Sequence, residues 1–325
     1  MKATARAHSN IAFVKYWGRK DESLRLPTNG SISMNLSNLY TTTTVEFISS
    51  LKQDDIVVNG VRDKAINRRI SKHLDRVRSI TKKKLLAKVV SQNNFAADAG
   101  MASSASGFAA LTVASIAAAG VHLSEKELSI LARQGSGSAC RSIPDGFVEW
   151  LDGDTSDGSY AYSLFKPNHW DICDVIAVIS SKKKDIPTSI GQQNAQTSVF
   201  FNTRLKHINE KIKRCKELLK EKNFDEFGKL VELEALELHS IMFTSWPSLI
   251  YWEPVSLTVM KTVIKLREEG TPAYFTIDAG PNIHIICFKK YVEGVKKRIG
   301  TIPGVSEIII NTASTGSHLI EAHLF

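Results

Sequence analysis

A run of small and hydroxyl-bearing residues at positions 93–107 constrains this chain more than any other feature. It lies between a strand-like stretch at 86–91 and an apolar, helix-like stretch at 108–118. Gly100 lets backbone amides approach an anion, and the following helix adds the partial positive charge of its N-terminus. The run therefore predicts a nucleotide-phosphate site that uses the hydroxyls of Ser103, Ser104 and Ser106. The alternative is a tight turn that leads into a buried helix.

Several other classes of protein are disfavoured by the sequence. The patterns GxxxxGK[ST] and GxGxxG do not occur, which argues against Walker-type and dinucleotide-binding folds. The longest mild apolar run, 107–121, is too short to cross a bilayer, and no apolar signal core follows Met1, so we expect a cytoplasmic protein with no membrane span. Four cysteines without a CxxC pair indicate reduced, structural thiols: Cys140, Cys173, Cys215 and Cys287.

The net charge of +9 is compatible with nucleic acid, an anionic membrane surface or a polyanionic small molecule. Basic residues concentrate at 62–88, 182–184 and 204–222, where aromatic residues are nearly absent. Platforms for stacking single-stranded bases are therefore not evident. In 204–222 apolar residues recur at helical spacing, which predicts that the Lys and Arg residues occupy a solvated opposite face.

The chain length of 325 residues predicts two domains, and the pattern predicts an α/β mixture without internal repeats. Ser124 and Glu127 have the spacing of a capping box, which predicts a helix that ends near Gly135. The polar stretch 182–193, with Pro187, predicts a domain boundary. The strands are expected at 42–48, 55–58, 86–91, 174–180, 273–277, 282–288 and 305–310. A basic helix is expected between the strands at 55–58 and 86–91, and further helices are expected at 108–118, 123–134, 196–221, 224–242, 255–269 and 291–299.

Three further positions carry groups suited to chemistry. Strand alternation from Asn10 places Lys15 on an otherwise apolar face, where its ammonium either meets an anion or reaches the rim. Arg141 lies among small residues in the segment 135–142, where its guanidinium can bind a carboxylate or phosphate, unless it is a surface residue of a serine-rich turn. Asp278 follows an apolar strand and either acts in catalysis or caps a Gly-Pro turn. His239, on a helix face, is expected to be packed and hydrogen-bonded rather than catalytic.

Taken together, these segments resemble one family, the mevalonate diphosphate decarboxylases of the GHMP kinase superfamily. Residues 10–19 read NIAFVKYWGR, against the family pattern NIA..KYWGK, and residues 27–33 read PTNGSIS, against PxNxSIS. The family motifs GSGSACRS and DAGPN are intact at 135–142 and 278–282. Four motifs in order, with a phosphate loop between them, make the resemblance specific and nearly full-length.

The resemblance implies an α+β fold of two domains with the active site in the cleft between them. It implies an amino-terminal, ATP-binding α/β domain with a left-handed βαβ unit at 1–185, and a ferredoxin-like α/β sandwich at 186–325. The implied reaction is ATP-dependent decarboxylation of (R)-5-diphosphomevalonate to isopentenyl diphosphate in the mevalonate pathway of isoprenoid biosynthesis. ATP and Mg²⁺ are the implied cofactors, and a homodimer that binds neither nucleic acid nor membrane is the implied assembly.

The resemblance also implies roles for individual residues. Asp278 would orient or deprotonate the 3-hydroxyl, Lys15 would neutralise the transferring phosphoryl group, and Arg141 would hold the substrate carboxylate. Substrate binding would fall to Tyr16, Ser136, Ser138, Arg19, Lys20, Thr188 and Ser189. ATP binding would fall to Asn93, Asn94, Gly100, Ala102, Ser103, Ser104 and Ser106. The metal ligands stay open.

Some residues depart from the family pattern. Asp98 lies in the phosphate loop, where a carboxylate would repel a triphosphate by on the order of 1 kcal/mol. Arg19 replaces a lysine, and Ser189 stands where some bacterial members place an arginine for the diphosphate. A phosphomevalonate decarboxylase and a mevalonate 3-kinase on the same scaffold are therefore alternatives. A basic, non-enzymatic nucleic-acid-binding protein is a remote one.

Overall fold

Strands and helices alternate along the chain, and the computed structural model describes residues 1–95, 103–180 and 188–325. Gly100, Ala102 and Asp98 lie outside the described residues. The strands are β1 (Lys2–Val14), β2 (Arg19–Asp21), β3 (Leu26–Pro27), β4 (Ser31–Ile48), β5 (Asp55–Val58), β6 (Leu86–Asn93), β7 (Phe147–Trp150), β8 (Ala161–Phe165), β9 (Ile172–Val178), β10 (Ala273–Thr276), β11 (Ile283–Phe288), β12 (Glu307–Thr312) and β13 (His318–Ile320). The helices are α1 (Lys64–Thr81), α2 (Ser103–Ala118), α3 (Glu125–Gly135), α4 (Thr188–Asn194), α5 (Phe201–Glu221), α6 (Phe224–Thr244), α7 (Pro254–Glu268) and α8 (Val292–Gly300).

The first sheet is built on the two long strands β1 and β4, which pair antiparallel. The order continues β13-β1-β4-β6-β5, while β7 pairs with β4 and β8 pairs with β7. β5 and β6 run parallel and are connected through α1, as expected for a βαβ unit. The predicted strands at 42–48, 55–58 and 86–91 are confirmed within β4, β5 and β6. The alternation from Asn10 indicates only the second part of β1; the strand begins at Lys2, and most of its residues are buried without alternation.

Helices α1, α2 and α3 pack together against one face of this sheet. Ala-rich α2 is buried around most of its circumference and lies against β1 and β4. Asp63 caps α1 by accepting hydrogen bonds from the backbone N–H groups of Ala65 and Ile66, both at 2.8 Å. The predicted capping box of α3 is confirmed, since Ser124 and Glu127 each accept a hydrogen bond from the other's backbone N–H.

The second sheet has the antiparallel order β10-β11-β9-β12. With α7 before β10 and α8 before β12, its elements follow the sequence βαββαβ, which confirms the predicted ferredoxin-like arrangement. Strands β9, β10 and β11 are buried on both faces, whereas the edge strand β12 is partly exposed. Val175 and Ile285 pack with α7 and α8, whereas Ile176 and Ile286 pack with α6 and with Phe13 of β1.

Sheet membership does not follow the expected division of the chain at 185. β9 precedes that position yet provides a central strand of the second sheet, and β13, near the C-terminus, borders β1 in the first sheet. The boundary itself falls in residues 181–187, outside the described residues, so the limits 1–185 and 186–325 stay a prediction. Among the described helices, none combines the length and apolarity that a bilayer-spanning helix requires.

Candidate active site

An ion pair between Lys15 and Asp278 joins the two halves of the molecule. Lys15 directly follows β1, Asp278 follows β10, and Lys15 Nζ lies 2.7 Å from Asp278 Oδ1. The lysine side chain is 1% exposed, whereas the aspartate side chain is 27% exposed and can meet a ligand. Of the two environments considered for Lys15, the anionic partner is therefore confirmed.

The two charges shift each other's titration. Burial lowers the pKa of Lys15 below its ordinary value, although the Asp278 carboxylate acts in the opposite direction. Burial alone would raise the pKa of Asp278, but the Lys15 ammonium outweighs it and holds that pKa below its usual range. At neutral pH Asp278 is thus an ionised acceptor beside an ammonium, as a proton-accepting group in phosphoryl transfer requires.

The backbone of Asp278 is fixed by its neighbours, so that the carboxylate is directed at Lys15. The Gly280 N–H donates to the Asp278 carbonyl at 2.8 Å, and His239 Nε2 donates to the same carbonyl at 3.1 Å. Burial lowers the pKa of His239 to about 3, which keeps this imidazole neutral. The expected packed and hydrogen-bonded role of His239 is confirmed.

Arg141 lies on a short 3₁₀ helix, Gly137–Ser142, and is buried. Its Nη1 donates to Ser31 Oγ at 2.7 Å, and its Nη2 donates to Asn10 Oδ1 at 3.2 Å. Its Nε is buried and has no hydrogen-bond partner among the described residues. The charge of Arg141 acts on both Lys15 and Asp278, so the three side chains share one electrostatic site. A guanidinium whose orientation is fixed by two neutral side chains keeps its full charge and is suited to an anionic ligand.

The expected substrate-binding residues of the first segment divide into two groups. Arg19 Nε donates to the Tyr16 hydroxyl at 2.9 Å, and Arg19 Nη1 pairs with Glu22 at 2.6 Å. Burial raises the pKa of Tyr16, so its hydroxyl stays protonated and can donate a hydrogen bond. Lys20 instead reaches the surface, where its Nζ lies 2.6 Å from the fully exposed Asp154. The structure thus brings Tyr16 and Arg19 together and places Lys20 in an exposed ion pair.

Hydroxyl groups from two segments meet beside the start of α2. Ser136 Oγ lies 3.2 Å from Ser104 Oγ, which connects the segment 135–142 with the helix N-terminus. Ser103 and Ser104 are accessible, and the first turn of α2 contains no acidic residue. Ser106 is fully buried, with its hydroxyl 2.7 Å from Thr41 Oγ1. Its hydroxyl also donates to the Ser103 carbonyl at 3.3 Å, and its assignment as an ATP ligand stays a prediction.

Apart from Ser138, the remaining predicted residues lie next to the undescribed segments. Asn93 and Asn94 line a cavity of about 410 Å³ at the end of β6, together with Phe95 of the phosphate loop and with Glu307 and Ile309 of β12. Thr188 and Ser189 begin α4, and Ser189 is exposed. Ser138 is partly exposed, and its carbonyl accepts a hydrogen bond from Asn10. Thr188 and Ser189 thus belong to α4 and Ser138 to the 3₁₀ helix Gly137–Ser142. Their role in substrate binding stays a prediction.

A second, basic pocket of about 90 Å³ opens beside Gly135. Arg69, Lys72 and Arg76 reach it from one side of α1, since their spacing of three and four residues follows the helical repeat. Arg25 completes the cluster, and burial together with Arg19 and Arg69 lowers its pKa to about 10. Cations gathered in this way repel one another, and a multiply charged anion would relieve that repulsion.

Both halves of the chain match known family descriptions. Residues 7–161 match the diphosphomevalonate decarboxylase-like N-terminal domain, and residues 174–318 match the mevalonate 5-diphosphate decarboxylase C-terminal domain. The diphosphomevalonate decarboxylase mvd1 of Aspergillus fumigatus is 36% identical over 326 residues, which cover 93% of this chain and 81% of the fungal protein. The chain belongs to the diphosphomevalonate decarboxylase family.

Solved structures of this family are similar over the full length. Mevalonate diphosphate decarboxylase from Staphylococcus aureus has a TM-score of 0.93 and 39% identity, covering 98% of each chain. MDDEF in complex with MVAPP, AMPPCP and magnesium also has a TM-score of 0.93, with 36% identity and 99% of each chain covered. The two-domain, GHMP kinase-like fold predicted from the motifs is confirmed.

Sequence reasoning missed several residues of this decarboxylase-family site. Asn10 and Ser31 hydrogen-bond to Arg141 and orient it, but the sequence motifs alone do not indicate this role. The available signal is that both are polar residues within strands whose other residues are largely buried. Arg204 was expected on a solvated helix face, which is wrong: it is buried and pairs with Glu234. Its position four residues before the buried Ile208 places it on the apolar face of α5. Within the described ranges, no group of three or more His, Cys, Asp or Glu is placed to hold a metal ion.

Proposed function

We propose that this protein catalyses the ATP-dependent decarboxylation of (R)-5-diphosphomevalonate to isopentenyl diphosphate, releasing ADP, phosphate and CO₂. The observation that carries this proposal is the convergence of Lys15, Asp278 and Arg141 from three distant segments on one partly open site. Asp278 can act as a base, Lys15 can stabilise the charge of a phosphoryl group, and the Arg141 guanidinium can bind a carboxylate. Membership of the family supports the same reaction.

In the first step the 3-hydroxyl of the substrate attacks the γ-phosphorus of ATP. Asp278 accepts the hydroxyl proton as the new P–O bond forms, and ADP leaves with the electrons of the broken β–γ bond. Lys15, 2.7 Å from Asp278, stabilises negative charge on the transferring group. The depressed pKa of Asp278 keeps its carboxylate ionised at neutral pH, so that an oxygen is available to orient the hydroxyl and receive its proton.

In the second step the substrate carboxylate and the new phosphate leave together. The C–C bond to the carboxylate breaks, its electrons form the carbon–carbon double bond, and the C3–O bond breaks toward phosphate. Arg141 holds the carboxylate, while hydrogen bonds to Ser31 and Asn10 fix the orientation of its guanidinium. This orientation aligns the breaking C–C bond with the leaving phosphate, a geometric contribution to the rate.

The start of α2 provides the nucleotide site. Ser103 and Ser104 lie in a first turn without acidic residues, where backbone N–H groups and the helix dipole favour phosphate oxygens. Asn93 and Asn94 at the neighbouring cavity extend this surface. Mg²⁺ enters as part of the Mg·ATP substrate. The related MDDEF structure is in complex with AMPPCP and magnesium, which supports the binding of a nucleotide-metal complex.

The basic pocket favours a diphosphate over the monophosphate alternative. Tyr16 and Arg19 form one anion-binding group, and Arg25, Lys72 and Arg76 form a second one beside Gly135. One phosphate uses the first group, and a diphosphate reaches the second as well. Arg76→Gln is therefore expected to raise KM for the diphosphate about tenfold or more while leaving any turnover of the monophosphate within about twofold.

The deciding experiment measures CO₂ and ADP together. Purified protein receives Mg·ATP and carboxyl-labelled mevalonate, 5-phosphomevalonate or 5-diphosphomevalonate in separate reactions. Equal release of CO₂ and ADP from the diphosphate alone supports the proposal, whereas preference for the monophosphate reassigns the substrate. ADP without CO₂ indicates a 3-kinase. Silence with all three substrates contradicts an enzymatic role, and salt-sensitive nucleic-acid binding that Asp278→Asn leaves unchanged would then support a basic binding protein.

We propose three further properties on the strength of family membership. The protein is expected to be a homodimer, to act in the cytoplasm and to bind neither nucleic acid nor a membrane. Light scattering on a size-exclusion column tests the first, since a dimer has twice the 36.0 kDa mass of the chain.

A further inference from the structure

The peptide groups of Lys15 are held by side chains rather than by neighbouring strands. The Lys15 N–H donates to Glu234 Oε2 at 3.1 Å. The Lys15 carbonyl accepts from Arg204 Nη2 at 3.0 Å and from Asn29 Nδ2 at 2.9 Å. Arg204 belongs to α5 and Glu234 to α6. Two helices from the second half of the chain therefore hydrogen-bond to the backbone of a residue just past the end of β1.

Arg204 and Glu234 form a buried ion pair with each other. Arg204 Nη2 lies 2.8 Å from Glu234 Oε2, and the side chains are 1% and 0% exposed. Lys211 Nζ lies 2.9 Å from the other oxygen of Glu234 and also pairs with Glu237. Removing two charges from water costs several kcal/mol, and an apolar pair of similar volume often stabilises a fold as well. A contribution to folding stability therefore does not explain well why the chain has this ion pair.

The charges of the pair also act on the Lys15 side chain. Burial opposes ionisation of Glu234, but Arg204 and Lys211 outweigh it and hold the pKa of this carboxylate below its usual range. Glu234 is therefore ionised, and its charge supports the protonated form of Lys15. The other charges that face Lys15 are Asp278, which acts in the same direction as Glu234, and Arg141, which opposes it. His239 is neutral.

We propose that Arg204 and Glu234 are positioning residues, which clamp both peptide groups of Lys15 and so fix its ammonium against Asp278. This inference rests on the proposed function, which gives Lys15 its role in phosphoryl transfer. A lysine side chain has a flexible four-carbon stem, so its ammonium is placed accurately only if its backbone is fixed. Displacement of a catalytic group by about 1 Å costs on the order of a hundredfold in rate.

The principal test is the double variant Arg204→Met/Glu234→Leu. Both charges disappear together and the volume is nearly kept, so no buried charge is left unpaired between these two positions. We expect kcat to fall about tenfold or more, with KM for ATP and for the diphosphate within about twofold of wild type. The conservative variant Glu234→Gln keeps an acceptor for the Lys15 N–H and is expected to lose less. Because its neutral side chain no longer supports the ammonium, its alkaline limb of kcat is expected at lower pH.

Two matched variants separate positioning from general stability. Glu237→Gln removes a carboxylate from the same helix and the same charge cluster, but this side chain has no contact with Lys15. Asp54→Asn removes a buried carboxylate that pairs with Arg78 and accepts the Ala87 N–H at 2.9 Å, on the far edge of the first sheet. Both are expected to lower the unfolding temperature while kcat stays within about twofold.

A crystal structure of the double variant gives a readout that does not depend on turnover. The distance from Lys15 Nζ to Asp278 Oδ1 is expected to lengthen from 2.7 Å to beyond hydrogen-bond reach. A folded double variant with wild-type kcat, or one that retains the 2.7 Å contact, would overturn the inference. If the wild-type protein released neither CO₂ nor ADP from any substrate, the proposed function would fail, while the structural readout would still decide whether the clamp positions Lys15.

Discussion

At the scale of single residues, the Lys15–Asp278 pair makes the most direct prediction. Asp278→Asn keeps the shape of the side chain but removes the proton acceptor and the partner of the ammonium. We expect kcat for CO₂ release to fall about 10²- to 10⁴-fold, with ATP affinity nearly unchanged. Parallel CO₂ and ADP assays with calorimetric ATP titration measure both quantities. Asp225→Asn, a change at an exposed carboxylate that accepts a hydrogen bond from the Tyr274 hydroxyl, serves as the control, and equal losses in the two variants would contradict the catalytic role.

The sequence predicted the charged residues of the site that can take part in the reaction. It did not predict the residues that position them. Lys15 and Asp278 stand out because a charge beside apolar residues needs a partner, and Arg141 stands out because the small residues around it leave room for an anion. Glu234 and Arg204 lie on helices that carry several other charged residues, and only the packing of both halves reveals that they meet Lys15. Periodicity fixes which face of a helix is apolar, but it carries no information about the contact across the domains.

At the scale of elements, the contact of α1, α2 and α3 depends on the absence of a side chain at Gly135. A Cβ at this position would overlap the Phe108 ring and stand 2.9 Å from His73 Nδ1. Since both rings are packed in the core, we expect Gly135→Ala to cost about 1–3 kcal/mol of unfolding free energy. Gly294→Ala in α8 meets no atom within 4 Å and should add about 0.5–1 kcal/mol through helix propensity. Urea unfolding of both variants tests this, and equal effects would contradict the steric argument.

The same three-helix contact makes stability depend on pH through His73. Its Nε2 donates to Thr112 Oγ1 at 2.9 Å, since the threonine hydroxyl donates to the Phe108 carbonyl. Burial, with Arg76 and Arg25 nearby, lowers the pKa of His73 to about 3. Between about pH 6.5 and 3 the unfolded chain therefore binds more protons at this site than the folded protein, so stability falls as pH falls.

We expect His73 to contribute about 2 kcal/mol of this loss between pH 7 and pH 5. His73→Gln keeps a donor for Thr112 but does not titrate, so its stability should decline less over that interval. Urea unfolding at both pH values measures the difference. His122→Gln, at an exposed position, is the control and should follow the wild type. An unchanged pH dependence in His73→Gln would show that the imidazole is protonated in the folded protein.

At the scale of the whole molecule, the sequence predicted the elements of each half better than the way the halves join. The strand at 174–180 was expected from its apolar run, and the ferredoxin-like order followed from the family motifs. The apolar run and the family motifs do not indicate that β9, which precedes the polar stretch 182–193, belongs to the second sheet. They also do not indicate that β13, near the C-terminus, belongs to the first sheet. Loop composition marks where a chain is exposed, whereas sheet membership is set by pairing between residues far apart in sequence.

This pairing makes a prediction about cutting the chain at the expected boundary. A fragment of residues 1–185 contains β9 without β11 and β12, its two neighbours in the second sheet, and lacks β13. A fragment of residues 186–325 lacks a central strand, which leaves β11 and β12 unpaired on facing edges. Because every residue of β9 is buried, we expect neither fragment to unfold cooperatively alone, while co-expression restores a folded pair. Circular dichroism melting of each fragment measures this. A cooperative transition in fragment 1–185 alone would show that its core, with Phe13 and Phe147, is sufficient without the second sheet.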